Sequence, residues 1–172
     1  MVRAFAVLVF ITSPLLGIAQ NRFDRSSGEI FAMASVLGGD DIPGSATSAA
    51  GFSLGGAWKP SPEVGVVVDF GRHFVSESHV SFTSAMAGLR LYSGERYRTS
   101  GFFHVLFGAQ RTGYSVGAGT PATWDFMMAP GGGFDIRLTD RVAFRPLQVD
   151  LTLGRSAGFL RASSGFVFNF GE

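Results

Sequence analysis

The sequence predicts an all-β chain: an eight-stranded antiparallel β-barrel in an up-and-down meander that crosses a membrane with its strands. Three observations lead there. The composition is rich in glycine and phenylalanine and poor in charge, the strand-like runs are long, and the links between them alternate short and long. The 172 residues have room for one domain. They include 24 Gly and 18 Phe, while charged residues make up 16%, against about 25% in an average chain. A disordered chain would be rich in charge and poor in apolar residues. A helical one would avoid glycine, which weakens helix interiors. Glycine, Phe and β-branched residues together suit strands with close backbone contacts. The absence of cysteine excludes a disulfide framework, a thiolate metal site, a cysteine nucleophile and a lipid-modified N-terminal cysteine. Lys59 is the only lysine, and no basic run suggests nucleic acid.

Residues 1–19 have the layout of a signal peptide. Arg3 is the positive start, 4–11 is uninterrupted apolar sequence, Pro14 breaks it, and Gly17-Ile18-Ala19 places small residues where a signal peptidase reads. Residues 20–172 are then the barrel domain. Losing Arg3 from the 14 basic residues leaves a mature chain matched one to one by its 13 acidic residues. No later stretch approaches ~18 consecutive apolar residues, so any crossing is made by strands.

Strand character recurs over 29–37, 48–58, 63–72, 80–92, 99–110, 124–138, 141–153 and 159–170. Most of these runs have the length of a tilted membrane-crossing strand rather than the ~5–6 residues of soluble strands. The second, fourth and sixth links are short: 59–62, 93–98 and 139–140. The first and fifth, 38–47 and 111–123, are long, and the others intermediate. With an N-terminus in the periplasm, the short links fall inside and the long ones outside, the asymmetry of membrane barrels.

Alternation supports the same reading. In 134–138 the apolar Phe134, Ile136 and Leu138 share one face, and Asp135 and Arg137 the other. In the last strand Phe166, Phe168 and Phe170 share a face that is expected to meet lipid, while small and charged residues fill the lumen. Trp58 and Tyr92, where strands meet short links, are expected in an aromatic girdle. In 141–153 the phase breaks, since Val142 and Phe144 have opposite parity to Leu147, Val149 and Leu151. A β-bulge near Arg145-Pro146 restores it and places Arg145, Gln148 and Asp150 inside. The expected lumen set is Asp69, Arg90, His104, Asp135, Arg137, Arg145, Asp150 and Arg161. It reads as a charge-paired structural plug, with a narrow ion path as the alternative.

The stretch Gly131–Arg141 (GGGFDIRLTDR), the segment Arg145–Asp150 and the closing Gly165–Phe170 (GFVFNF) resemble the C-terminal half of OmpA/OmpX-like outer-membrane β-barrel domains. Residues 65–71, 87–90 and 104–108 fit strands three to five of that family. The resemblance implies a bacterial outer-membrane location and insertion by the barrel-assembly machinery. It also implies contact with outer-membrane lipid and lipopolysaccharide, and an unidentified extracellular partner met through the loops. The family often ends on the final aromatic, whereas Gly171 and Glu172 follow Phe170 here. The domain is expected to be a bare barrel.

No catalytic, cofactor or metal site is expected. His79-Val80-Ser81 is similar to the His-x-Ser of outer-membrane lipid A deacylases, but Phe82 stands where that motif has asparagine. His73 and His79 with Asp40 and Asp41 lack a diagnostic ligand spacing. Gly131-Gly132-Gly133 has no lysine or helix start after it and reads as a bend or close strand contact, not a phosphate loop. The leading functional expectation is a non-enzymatic membrane-anchored barrel acting through its loops. A soluble lipocalin-like binder of an apolar ligand and a lipid-modifying barrel enzyme are the alternatives.

Overall fold

The computed structural model describes residues 27–39, 48–75, 80–93, 98–114, 123–155 and 158–171. Eight strands follow in chain order: β1 (Ser27–Gly38), β2 (Ser48–Lys59), β3 (Val64–Val75), β4 (Val80–Tyr92), β5 (Thr99–Tyr114), β6 (Thr123–Arg137), β7 (Val142–Gly154) and β8 (Gly158–Phe170). Each pairs antiparallel with the next, and β1 pairs with β8, so the sheet closes on itself. Closure leaves no strand edge unpaired, the condition for a sheet in hydrocarbon, where unsatisfied backbone groups are costly. Ser27, where β1 begins, and Phe170, where β8 ends, share one end of the barrel with the strand ends that flank 60–63, 93–98 and 138–141; the other strand ends lie opposite. The leader assigned to 1–19 lies outside the described residues, as do Asp40, Asp41 and His79.

Burial alternates with period two around the wall. In β3, Val67, Asp69, His73 and Val75 face in, while Val66, Val68, Phe70 and Phe74 face out. In β8, Phe166, Phe168 and Phe170 are 49%, 51% and 54% exposed, whereas Val167 is buried. The outward faces are apolar almost throughout, and much of the charge is inside. That is the reverse of a soluble barrel.

The phase break in β7 is a bulge. Arg145 pairs with Gly165 and Gln148 with Ser163, so β7 carries one residue more than β8 over that interval. The β6 side shifts in step, between Phe134 and Ile136. Pro146, which has no N–H to give the ladder, sits in the bulge. Arg145, Gln148 and Asp150 accordingly all point inward and are fully buried.

Three details differ from the sequence reading. β3 runs on to Val75 and β5 to Tyr114, three and four residues past their expected ends. His73 and Gly113 look like loop residues in sequence, yet the ladder continues through both. Tyr92 is not a girdle residue. It shares the inward parity of Arg90, and its ring lies 4.4 Å beneath the Lys59 Nζ at the mouth of the barrel. Trp58 does face outward, at 56% exposure.

Deleting Pro146 should remove the extra residue while keeping Arg145 inward and Leu147 outward, so the barrel should still fold. Deleting Phe70 from the unbulged β3 should not be tolerated, because either Asp69 turns outward or Arg72 turns inward. Heat-modifiable migration on gels, measured for both deletions, checks the pair.

Candidate functional site

The interior divides along the barrel axis. Toward the long-link end apolar side chains predominate: Leu37, Ala49, Val75, Val80, Phe82, Met127 and Phe159 are buried, with the Phe82 and Phe159 rings 5.5 Å apart and Ser35, His73, Gln110 and Thr152 among them. The middle and the termini end hold an ion-pair network. Glu29 on β1 is its hub. Its carboxylate accepts from Arg90 of β4, lies 3.4 Å from the Arg145 Nη2 of β7, and pairs with the Lys59 Nζ of β2 at 2.8 Å. Arg145 also clamps Asp135 through Nε and Nη2, at 2.7 and 2.9 Å, and donates from Nη1 to the Gln148 Oε1 at 3.0 Å. Bidentate carboxylate recognition of this kind suits the planar guanidinium.

Gln148 passes the chain on, donating from Nε2 to the Asp150 Oδ2 at 2.9 Å. Asp150 also accepts from the Arg161 Nε at 2.9 Å, and Arg161 reaches Asp69 through Nη1 at 2.6 Å. The His104 Nε2 lies 2.7 Å from the Asp150 Oδ1, while the Nδ1 faces the Arg90 Nη2 at 3.4 Å. A guanidinium only donates, so the Nδ1 accepts and the Nε2 carries the hydrogen given to Asp150. Two aromatic rings fill the space between the arginines. Arg90 and Arg145 each lie 4.3 Å from the Phe102 centroid and 5.2 Å from that of Phe31. Contacts of this kind stabilise a desolvated cation without adding charge.

Small residues let the network span strands. His104 and Asp150 sit on β5 and β7, both opposite Gly131 of β6. A side chain at Gly131 would collide with the Asp150 carboxylate and approach the Val149 carbonyl to 2.7 Å. The glycine thus clears the path by which two side chains meet over a third strand.

Of the sequence-derived lumen set, Asp69, Arg90, His104, Asp135, Arg145, Asp150 and Arg161 are buried and joined. Arg137 is not buried with them. It is the last residue of β6 and exposed, lining the wide mouth at the termini end with Arg98, Arg141 and Asp140. That mouth encloses about 770 Å³. Glu29, Lys59 and His73 were missed. Glu29 shares the inward parity of Phe31, Met33 and Ser35, but β1 does not alternate in sequence, so no signal marked it as the hub. His73 lies inside, 2.7 Å from the Ser35 Oγ. Asp40, Asp41 and His79, set aside with it as a metal cluster, fall outside the described residues. Among the described residues no group of three or more His, Asp or Glu side chains is arranged to hold a metal ion.

An apolar outer wall around a charged, packed interior defines the class of small eight-stranded outer-membrane barrels, and this chain has that fold. No family model matches the sequence, and no curated protein matches it. Solved structures do. Neisserial surface protein A aligns with a TM-score of 0.64 at 13% identity, over 84% of this chain and 97% of that one. The N-terminal β-barrel domain of Pseudomonas aeruginosa OprF aligns at 0.62 and 19%, over 84% and 97%. Ail, the attachment invasion locus protein of Yersinia pestis, aligns at 0.59 and 16%, over 87% and 100%. A further structure holds Ail with the heparin analogue sucrose octasulfate.

Replacing Glu29 with Ala should leave Arg90 and Arg145 short of a counter-charge in a dry interior, at a cost of about 3–5 kcal/mol. Denaturant unfolding in detergent should show the loss, and Lys59→Ala, at the partly exposed rim, should cost less.

Proposed function

We propose that the protein is a non-enzymatic outer-membrane barrel that anchors its long-link end at the cell surface, where the loops meet a partner. Residues 1–19 act as the export signal and 20–172 as the barrel. The termini and short links face the periplasm, and the barrel-assembly machinery inserts the chain. Outer-membrane lipid, lipopolysaccharide included, bathes the wall. The observation that supports this reading best is the closed interior inside an apolar wall. Four carboxylates (Glu29, Asp69, Asp135 and Asp150) are matched by Arg90, Arg145, Arg161 and Lys59, and an apolar layer lies beyond them. An eight-strand barrel has an interior just wide enough for such filling. Surface contact is the role the name of Ail carries for that protein, and its complex with a sulfated sugar analogue gives one chemistry for such a contact.

The two alternatives fit less well. A lipocalin-like binder needs an apolar cavity inside and a polar exterior, and the arrangement here is inverted. For an enzyme, the serine–histidine contact among the described residues, Ser35 with His73, is buried within the barrel, away from the outer wall that a lipid substrate would meet.

Phe166→Arg or Phe168→Arg should impair assembly into vesicles by about 2–4 kcal/mol if the site lies near the bilayer midplane. Unchanged insertion of both variants would contradict the orientation of the wall. In planar bilayers the purified barrel should give no stable unitary conductance. Well-defined single-channel steps from the wild-type protein would instead favour a small pore.

A further inference from the structure

Charge is nearly absent from the outer wall, and the exceptions sit together. Between their end residues, the eight strands carry only two charged side chains at exposed outward positions, Arg72 on β3 and Arg111 on β5. The register brings them into one row. Arg72 pairs with Thr83 of β4, Thr83 with Arg111, and Arg111 with Trp124 of β6. Only β4 lies between the two arginines, so their backbones are roughly 10 Å apart. Both guanidinium groups can reach one anion held over Thr83. Each arginine lies three residues from the long-link end of its strand. Arg72 lies 5.2 Å over the Phe74 ring. Among the described residues no carboxylate forms an ion pair with Arg72 or Arg111. The outward neighbours on the same strands are Phe70 and Phe74, Ser81 and Ala85, Ala109 and Gly113.

Beside this row, toward the middle of the wall, lies an apolar groove of about 420 Å³ lined by Leu54, Val68, Phe70, Ala85, Ala87 and Phe107. Ala85 and Ala87 are the next outward residues of β4 after Thr83 and form a low floor. Phe70 and Phe107 stand as ridges on β3 and β5. A cationic, hydroxyl-bearing row at the rim and an acyl-sized groove next to it are continuous on the same strands.

We infer that this face holds a phosphate-bearing lipid of the leaflet on the long-link side. Its phosphate lies between Arg72 and Arg111 over Thr83, and an acyl chain lies along Ala85 and Ala87. Arginine binds phosphate oxygens through paired N–H donors, and its stem lets the head reach the interface while the backbone stays in the wall. The inference rests on the membrane reading above and assigns the wall one lipid partner.

The test uses the full barrel in phosphatidylcholine nanodiscs doped with diphosphorylated lipid A, with retained lipid counted by native mass spectrometry. The wild type should enrich lipid A over phosphatidylcholine and should not enrich its dephosphorylated form. Arg72→Ser with Arg111→Ser removes charge from the wall and should insert at least as well. At about 1 kcal/mol for each basic residue near an anionic surface, enrichment should fall on the order of tenfold or more. Ala87→Phe adds bulk to an exposed position, fills the groove and should also reduce retention, with both arginines intact. Inorganic phosphate should not displace the lipid. Equal enrichment by the wild type and the double variant, or full displacement by inorganic phosphate, would overturn the lipid site while leaving the membrane barrel standing. Failure of the wild type to insert would remove the membrane reading itself.

Discussion

Burying an ion costs several kcal/mol even after the protein relaxes around it, and this interior holds several. What makes that tolerable is pairing, and the pairing converges on Glu29. One carboxylate on the first strand meets cations from β2, β4 and β7, so it ties the start of the chain to strands around the barrel. From there Arg145, Gln148, Asp150 and Arg161 relay contacts to Asp135, His104 and Asp69. Few of these groups are left to one partner alone. A buried network of this kind is favourable only when nearly every member is satisfied, and it then selects one packing of the interior.

The network in turn constrains the wall. Side chains that meet across the lumen need neighbours that do not stand in the way, and Gly131 supplies the gap between His104 and Asp150. The β7 bulge serves the same end. Without a bulge to absorb the extra residue at Pro146, strict alternation would turn Arg145 and Asp150 to opposite faces of the wall. Glycine and a proline bulge would weaken a soluble sheet. Here the closed ladder supplies the backbone pairing, and these residues set where the charges land.

Most of the fold was legible because a two-faced wall forces a period of two, and lipid on one side makes that period apolar. The eight strands, their order and the bulge follow from that pattern. It fails where a face is mixed. Along β1 the inward residues Phe31, Met33 and Leu37 are as apolar as the outward Ile30 and Val36, so the strand shows no alternation and Glu29 looks like an edge residue. Strand ends are hidden for a related reason. His73 and Gly113 have turn-like chemistry, but the ladder extends through them because neighbouring strands are long enough to pair. Arg137 and Tyr92 have the parity of lumen residues, yet they stand at the mouth, and parity alone carries no information about depth. Depth is a property of the closed barrel.

Depth also explains why the two ends differ. Toward the termini the interior opens into a wide mouth lined by both signs of charge, where water can solvate Lys59 and Arg137. Toward the long links the same strands bury Leu37, Ala49, Val75, Val80 and Phe159, and the inward positions there include one carboxylate, Asp125 of β6. An ion moving along the axis would have to leave the mouth, displace paired arginines and then pass among mostly apolar side chains. Both steps oppose conduction and favour the reading of the polar lining as a structural plug. The same asymmetry moves chemistry to the outside of the barrel. Toward the long-link end, charge lies on the outer wall at Arg72 and Arg111, in reach of the membrane surface.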